Sequence, residues 1–259
     1  MKNRLIIFFI ITKFILCFYT PVLSNEIKFE ATNIETTDKN LIIANDNIII
    51  SDTFDNKIYA EKLEIKNEKI YTISGNVIFE NTKNQIILKS NKIIYNLEKN
   101  IVETFEDTKI EIEKIYFFNT SNITYNLKTK KISSNEKSFI EDSDSNKIEI
   151  KNFTLSFNEK ILRANNAKVI DKDLNQYEIK KLFYDLKQKR ILGKDVSINE
   201  DNKSSKEEYL PRAKGRSIIL DKDNMKLKKS IYTNCKKRDG CPPWSLRAEE
   251  VSHDKKSQT

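Results

Sequence analysis

Ile93-Ile94-Tyr95-Asn96-Leu97-Glu98-Lys99-Asn100-Ile101-Val102 carries the pattern on which the fold of this chain turns. Apolar side chains alternate at Ile93, Tyr95 and Leu97, a charged turn follows, and Ile101-Val102 opens a second run. Alternation at period two puts Ile93, Tyr95 and Leu97 on one face of a strand and Ile94 and Asn96 on the other, the pattern of a half-buried sheet. The same shape returns at Ile123-Thr124-Tyr125-Asn126-Leu127, at Phe153-Thr154-Leu155-Ser156-Phe157 and at Leu182-Phe183-Tyr184-Asp185-Leu186, each followed by a lysine-rich turn and a new apolar pair. A weaker copy lies upstream at Leu63-Glu64-Ile65. The third apolar positions, Ile65, Leu97, Leu127, Phe157 and Leu186, recur about every 30 residues, a spacing that marks repeated or stacked architectures. Each unit reads as a hairpin with one apolar face.

Length and composition agree with an all-β exported chain. The sequence has 259 residues, and a span of about 180 of them buries roughly 70% of its unfolded surface, enough for a real core. Only four glycines occur, so the turns use Asn, Lys and Asp; asparagine tolerates the left-handed backbone that tight turns need. The formal net charge of +8 invites a nucleic-acid reading, but the lysines sit singly in turns or alternate with Glu and Asp, which is the pattern of a solvated surface. No nucleic-acid partner is expected. Attraction to anionic lipid headgroups is the better functional reading of the charge.

At the amino terminus Lys2 and Arg4 precede the apolar run Leu5 to Tyr19, Pro21 breaks it, and Val22-Leu23-Ser24 follows. This reads as a secretory signal over 1–24, cleaved after Ser24. Lys13 interrupts the run, which is short of the roughly 20 residues a spanning helix needs, so a retained inner-membrane anchor is the second choice. Ile27-Lys28-Phe29 then reads as an edge strand and Thr32 to Asn40 as a polar loop. Leu41-Ile42-Ile43 and Ile48-Ile49-Ile50 flank Ala44-Asn45-Asp46-Asn47 as a hairpin. Second strands are expected between the repeat copies, at Val77-Ile78-Phe79, Ile110-Glu111-Ile112, Ile148-Glu149-Ile150 and Val196-Ser197-Ile198. No helical period survives from Glu26 to Asn199. A β-solenoid and a jelly-roll-like open sandwich both satisfy serial hairpins with a common apolar face. Either has open edges whose unpaired N–H and C=O groups invite strand addition. The polar stretch Glu200 to Glu208 reads as a loop, and another strand pair follows around Ser217 to Leu220 and Met225 to Leu227.

Little in the chain carries covalent chemistry. His253 is the one histidine, so a Ser/His or Cys/His catalytic pair has nothing to build on, and scattered glycines make no phosphate loop. No enzymatic activity and no cofactor are expected. Cys235, Cys241 and His253 lack a fourth member and close cysteine spacing, so no metal site is expected either. In an exported protein Cys235 and Cys241 are disulfide candidates, either with one another or with cysteines outside the chain. Trp244, after Pro242-Pro243, is read as filling a core gap or as part of a signature.

That signature is Tyr232-Thr233-Asn234-Cys235, then Trp244, then His253-Asp254. With the preceding hairpin repeats and the leader, it resembles the amino-terminal part of the outer-membrane lipopolysaccharide-assembly family, also known as the organic-solvent-tolerance family. The resemblance implies an OstA-like open β-jelly roll over residues 25–205. Residues 206–259 would then form a strand-containing connection toward a carboxy-terminal β-barrel that is missing, so the chain looks truncated. It implies a periplasmic domain associated with the outer membrane, receiving lipopolysaccharide from a bridge of similar jelly rolls joined by edge-strand pairing and passing it to the barrel and its outer-membrane lipoprotein partner. Inward positions Ile93, Tyr95, Leu97, Ile123, Tyr125, Leu127, Phe153, Leu155, Phe157, Leu182, Tyr184 and Leu186 would line the lipid groove. Burial of each methylene is worth about 0.8 kcal/mol, so an apolar trough holds a multi-chain lipid without specific chemistry. Cys235 falls at the family cysteine that ties this domain to the barrel; Cys241 is additional, and the usual partner near the mature amino terminus is absent, since Cys17 leaves with the signal. The alternative is a freestanding or inner-membrane-anchored bridge jelly roll of the same transport system.

Overall fold

The computed structural model of the protein describes residues 27–38, 41–199, 211–235, 242 and 244–255. The described residues form strands and turns with no helix: β1 (Lys28–Glu30), β2 (Asn33–Asp38), β3 (Leu41–Ser51), β4 (Asn56–Lys66), β5 (Ile70–Asn81), β6 (Ile86–Asn96), β7 (Ile101–Ile112), β8 (Tyr116–Ser121), β9 (Thr124–Asn126), β10 (Lys131–Asp142), β11 (Lys147–Ser156), β12 (Ile161–Ile170), β13 (Gln176–Asp185), β14 (Arg190–Asn199), β15 (Arg212–Leu220), β16 (Asn224–Thr233) and β17 (Leu246–Asp254). The fold is all-β, a jelly-roll-like sheet of serial antiparallel hairpins. β1 and β2 both pair with β3. From there the sheet is a meander to β17, each strand pairing with its neighbours in the chain. β8 and β9 are two pieces of one interrupted strand, laid between β7 and β10.

Most strands run for 10 to 12 residues and bend near the middle. The bends fall where a residue adopts left-handed backbone: Asn47 at φ 52°, Asn76 at 46°, Glu106 at 63°, Asn122 at 50°, Asn152 at 54°, Asn166 at 51° and Asp195 at 53°. Most of these are Asn or Asp, whose short polar side chains accept that conformation more readily than others do. Gly75, at φ 82°, precedes Asn76 in the β5 bend, and a Cβ there would lie 2.6 Å from Glu61 Oε2. Register shifts mark the same positions, between Ser74 and Val77, Ser90 and Lys92, and Ser134 and Lys137. Such bulges let a strand turn a corner from one layer into another.

The bend also resets the inward face. On β12 the buried positions change phase from Leu162 and Ala164 to Ala167 and Val169. Without that shift the second half of the strand would turn its apolar set to solvent. The strand arms therefore make two layers that face each other across one apolar interior. Rings from opposite arms meet inside it: Phe79 stands edge-on to Tyr125 at 6.0 Å, and Phe118 lies 5.8 Å from Phe153. The core is continuous from Ala44 to Leu227. At the ridge, buried hydroxyls pair with one another, Thr104 with Thr108 and Thr120 with Ser138, each at 2.7 Å, so the polar groups at the bends are satisfied.

Some expectations drawn from the sequence need correction. Residues 41–50 are not a hairpin: β3 passes straight through them and bends at Asp46 and Asn47, both left-handed. The stretch 32–40, expected as a loop, contains β2. The short second strands at Val77–Phe79, Ile110–Ile112, Ile148–Ile150 and Val196–Ile198 are the far arms of β5, β7, β11 and β14. Beyond the polar stretch, β15 pairs with β14 from Arg212 to Leu220, and Ile218, Leu220 and Leu227 enter the same core.

Because the long strands are folded near the middle, the turns lie along two rims. The first rim holds the turns at 66–70, 96–101, 126–131, 156–161, 185–190 and 220–224; the second holds those at 51–56, 81–86, 112–116, 142–147 and 170–176. Turns of the first rim stack on one another: the N–H of Leu97 donates to Lys69 O, Leu127 to Asn100 O, Phe157 to Lys130 O and Leu186 to Lys160 O, at 2.9 to 3.0 Å. Asn96, Asn126 and Asp185 open their turns by accepting from the N–H three residues on, the local bonding that makes these residue types turn formers.

Candidate functional site

The interior and the line where the two rims meet make up the candidate site. Ile93, Tyr95, Ile123, Tyr125, Phe153, Leu155, Phe157, Leu182, Tyr184 and Leu186 are all buried in the one core cluster, none more than 7% exposed, and Leu97 and Leu127 are partly buried against it. The structure thus brings all of the sequence-predicted groove residues to one interior. They pack against each other there: Tyr71 lies 6.3 Å from Tyr95, and Tyr125 lies 5.7 Å from Phe157.

The second rim is built on a repeated turn. Asp52, Asp142 and Asp171 each use Oδ1 to accept the N–H two residues on and the N–H of an asparagine four residues on, while Oδ2 accepts from that asparagine's side chain. Local bonding of this kind fixes a carboxylate in place with lone pairs left over. Tyrosines take them. Tyr184 Oη donates to Asp142 Oδ2 at 2.6 Å, Tyr95 Oη to Asp52 Oδ2 at 3.3 Å, and Tyr177 Oη to Asp171 Oδ2 at 2.9 Å.

Tyr95 and Tyr184 end strands at the first rim, so their bonds cross from one rim to the other. Tyr116, starting β8 on the second rim, donates to the carbonyl of Leu186 on the first at 2.7 Å. Lys160 pairs with Glu113. Lys189 reaches Ser143 Oγ at 2.9 Å and Asp144 Oδ2 at 3.1 Å. Lys255, just past β17, places Nζ 3.1 Å from Asp171 Oδ2, and both side chains are nearly sealed, at 10% and 2% exposure. The rims are joined by side chains, and no backbone ladder runs between them among the described residues.

The environment of these groups is visible in their acidities. Burial, then the charge and hydrogen bond of Asp142, push the Tyr184 phenol well above the usual tyrosine value; burial and Asp52 do the same to Tyr95. Burial lifts Tyr125 to about 12. Burial also opposes ionisation of Asp171, but the Lys255 ammonium and the bonds from Lys255, Tyr177 and Asn175 outweigh it and hold the carboxyl below its ordinary range. An opposite charge and donors favour the charged form more than desolvation disfavours it here.

Cys235 is 9% exposed, its carbonyl accepts from Arg212 Nη1 at 2.8 Å, and its N–H donates to Thr233 Oγ1. Cys241 lies outside the described residues, as do residues 1–24. Trp244 does not fill the core: it is 48% exposed, beside Tyr232 at 6.3 Å. The sheet ends in β17, which pairs with β16 alone among the described strands and exposes Leu246 and Val251. Among the described residues no group of three or more His, Cys, Asp or Glu side chains is placed to hold a metal ion.

Sequence reasoning found the apolar interior and missed what closes it. The signal was present as Asp-x-x-x-Asn at 52–56, 142–146 and 171–175, a spacing that differs from the hydrophobic period and belongs to the opposite rim from the repeat turns.

No family model matches the sequence, and no curated protein matches it. Among solved structures the chain is similar to LptH of Pseudomonas aeruginosa, the LptA-homologous periplasmic component of the conserved lipopolysaccharide transport device, at 19% identity and a TM-score of 0.36, over 39% of this chain and 76% of that one.

Proposed function

We propose that this protein is a periplasmic, non-enzymatic carrier module for lipopolysaccharide, holding acyl chains between the two layers of its folded sheet and passing them toward an outer-membrane barrel. The observation that carries this reading is the combination of a core continuous from β3 to β16 with rims joined, among the described residues, by side-chain contacts and no strand ladder. Strand ladders would have to break to admit a chain into a closed barrel. Here it is side-chain contacts such as Tyr184–Asp142 and Lys189–Asp144 that must part, each worth about 1.5–3 kcal/mol at most. A lipid of several acyl chains returns about 0.8 kcal/mol per buried methylene, more than enough to offset that cost. The signature around Cys235 and the amino-terminal leader agree with export and with delivery at the outer membrane.

The test is photo-crosslinking in cells, with a photoreactive phenylalanine analogue at Tyr95 or Tyr125, followed by immunoblotting for lipopolysaccharide. Adducts at these inward positions and none at exposed Phe117 or Phe139 are expected. Absence of adducts at every inward position tested would sink the reading.

A second reading rests on the unpaired flank of β17 and on β1 and β2, which pair on one side with β3. In it the protein is a bridge element joined to neighbouring jelly rolls by strand addition, without a barrel of its own. Crosslinks from Leu246 or Val251 to a jelly-roll partner, with none to a barrel, would favour it.

A further inference from the structure

The line of rim contacts is interrupted by a cavity of about 310 Å³ between the turns at 142–147 and 170–176 on one side and 185–190 and 220–224 on the other. Its walls carry Lys172, Lys189, Lys222 and Lys255. Lys189 is neutralised by Asp144 and Lys255 by Asp171. Lys172 and Lys222 form no ion pair among the described residues, and they stand on opposite rims. The carboxylate of Asp221, also in the wall, is turned into its own loop, where Oδ1 accepts from the N–H groups of Asp223 and Asn224 at 3.0 and 2.8 Å. The floor is apolar, formed by Tyr184, Ile191 and Leu220, all members of the core.

We propose that this cavity binds a phosphorylated amphiphile, the phosphate lying between Lys172 and Lys222 and the first part of the apolar chain lying on Tyr184, Ile191 and Leu220. Two unpaired ammonium groups across a gap favour a doubly charged anion over a singly charged one, since each meets its own oxygen. The apolar floor requires that the anion be attached to something that leaves water. A bound phosphate would also bridge the rims, supplying between Lys172 and Lys222 the cross-rim link that the flanking Tyr184–Asp142 and Lys255–Asp171 contacts supply on either side. The inference deepens the carrier reading by naming where a lipid phosphate is held, and rests on that reading for the identity of the lipid alone.

The experiment is calorimetric titration of the full chain with dodecyl phosphate below its micellar concentration, with inorganic phosphate and dodecyl maltoside as comparisons, repeated on the double variant Lys172→Gln/Lys222→Gln. Both lysines are exposed, so the variant keeps the core, and its unchanged thermal melt checks this. Dodecyl phosphate is expected to bind the natural chain at least about tenfold more tightly than inorganic phosphate, and to lose about tenfold or more in the variant, as removal of charge-assisted bonds predicts. Dodecyl maltoside should not distinguish the two proteins. Equal affinity of dodecyl phosphate for variant and natural chain overturns the proposal, and so does equal affinity of dodecyl phosphate and inorganic phosphate, which would mean a bare anion site. Failure of the interior crosslinks with this binding intact would overturn the carrier reading and leave the cavity site standing.

Discussion

Replacing Tyr184 with phenylalanine deletes one oxygen atom from a ring that is 1% exposed. The ring itself keeps its burial and its edge-on stack with Tyr116 at 5.8 Å and 90°, so the hydrophobic contribution of the residue is untouched. What is lost is a 2.6 Å O–H···O⁻ bond to Asp142, whose side chain, at 4% exposure, has almost no water to replace it. Bonds to a buried charged acceptor contribute about 1.5–3 kcal/mol net. Asp142 retains the N–H groups of Asp144 and Asn146 and the Asn146 amide, which limits the cost to about 2 kcal/mol, in the lower half of that range. For a sheet of this size that corresponds to a fall in Tm of about 4–8 °C. Tyr95→Phe is the graded comparison: its bond to Asp52 is longer, at 3.3 Å, and Asp52 is only half-buried, so the loss should stay below about 1 kcal/mol. Equilibrium urea unfolding followed by far-ultraviolet circular dichroism gives both values. The reasoning is refuted if Tyr184→Phe lies within about 0.5 kcal/mol of the natural protein, or if Tyr95→Phe costs as much as Tyr184→Phe.

The buried pair of Lys255 and Asp171 gives a pH-dependent counterpart. Asp171 has a folded-state pKa below its unfolded value, so its contribution is fully present above about pH 4 and is lost as the pH falls through the folded value. Lys255→Met should therefore cost about 3 kcal/mol at pH 7, the toll of leaving a buried carboxylate without its cation, and much less at pH 3; an equal deficit at both would sink the assignment. Gly193 sits between strands so closely that an added Cβ would lie 2.7 Å from Ile179 Cγ2 and 2.7 Å from Ile218 Cγ2. Gly193→Ala should overpack the core by about 1–3 kcal/mol, and an unchanged thermal midpoint would show that β14 has room that its neighbours do not.

The all-β class, the hairpin turns of the first rim and the apolar face were legible because each depends on neighbours in sequence. Leu97, Leu127, Phe157 and Leu186 announce their turns by the alternation before them and the lysines after. The bends were not legible, because a left-handed Asn166 inside β12 breaks period-two counting and makes one long strand look like two short ones. Nor was closure of the interior. Tyr184 reads as one more apolar position until Asp142 is brought to it, and the two are 42 residues apart. Trp244 misled in the other direction: its size suggests a core residue, whereas it lies about half exposed against Tyr232 at the surface.

Four of the contacts that join the rims share a nearly constant stagger: 42 residues for Tyr184 and Asp142, 43 for Tyr95 and Asp52, 47 for Lys160 and Glu113, 45 for Lys189 and Asp144; Tyr116 to Leu186 and Lys255 to Asp171 span 70 and 84. Apart from β1 with β3 and the split strand β8/β9 between β7 and β10, the strand ladders join chain neighbours, so the sheet grows by successive hairpins. At the four staggered contacts, the residue on the first rim meets a partner made about one and a half hairpins earlier. At these contacts the partner is made before the residue that seeks it, so closure there can advance like a zip drawn from the amino-terminal end, trailing the newest strand by a nearly fixed length of chain.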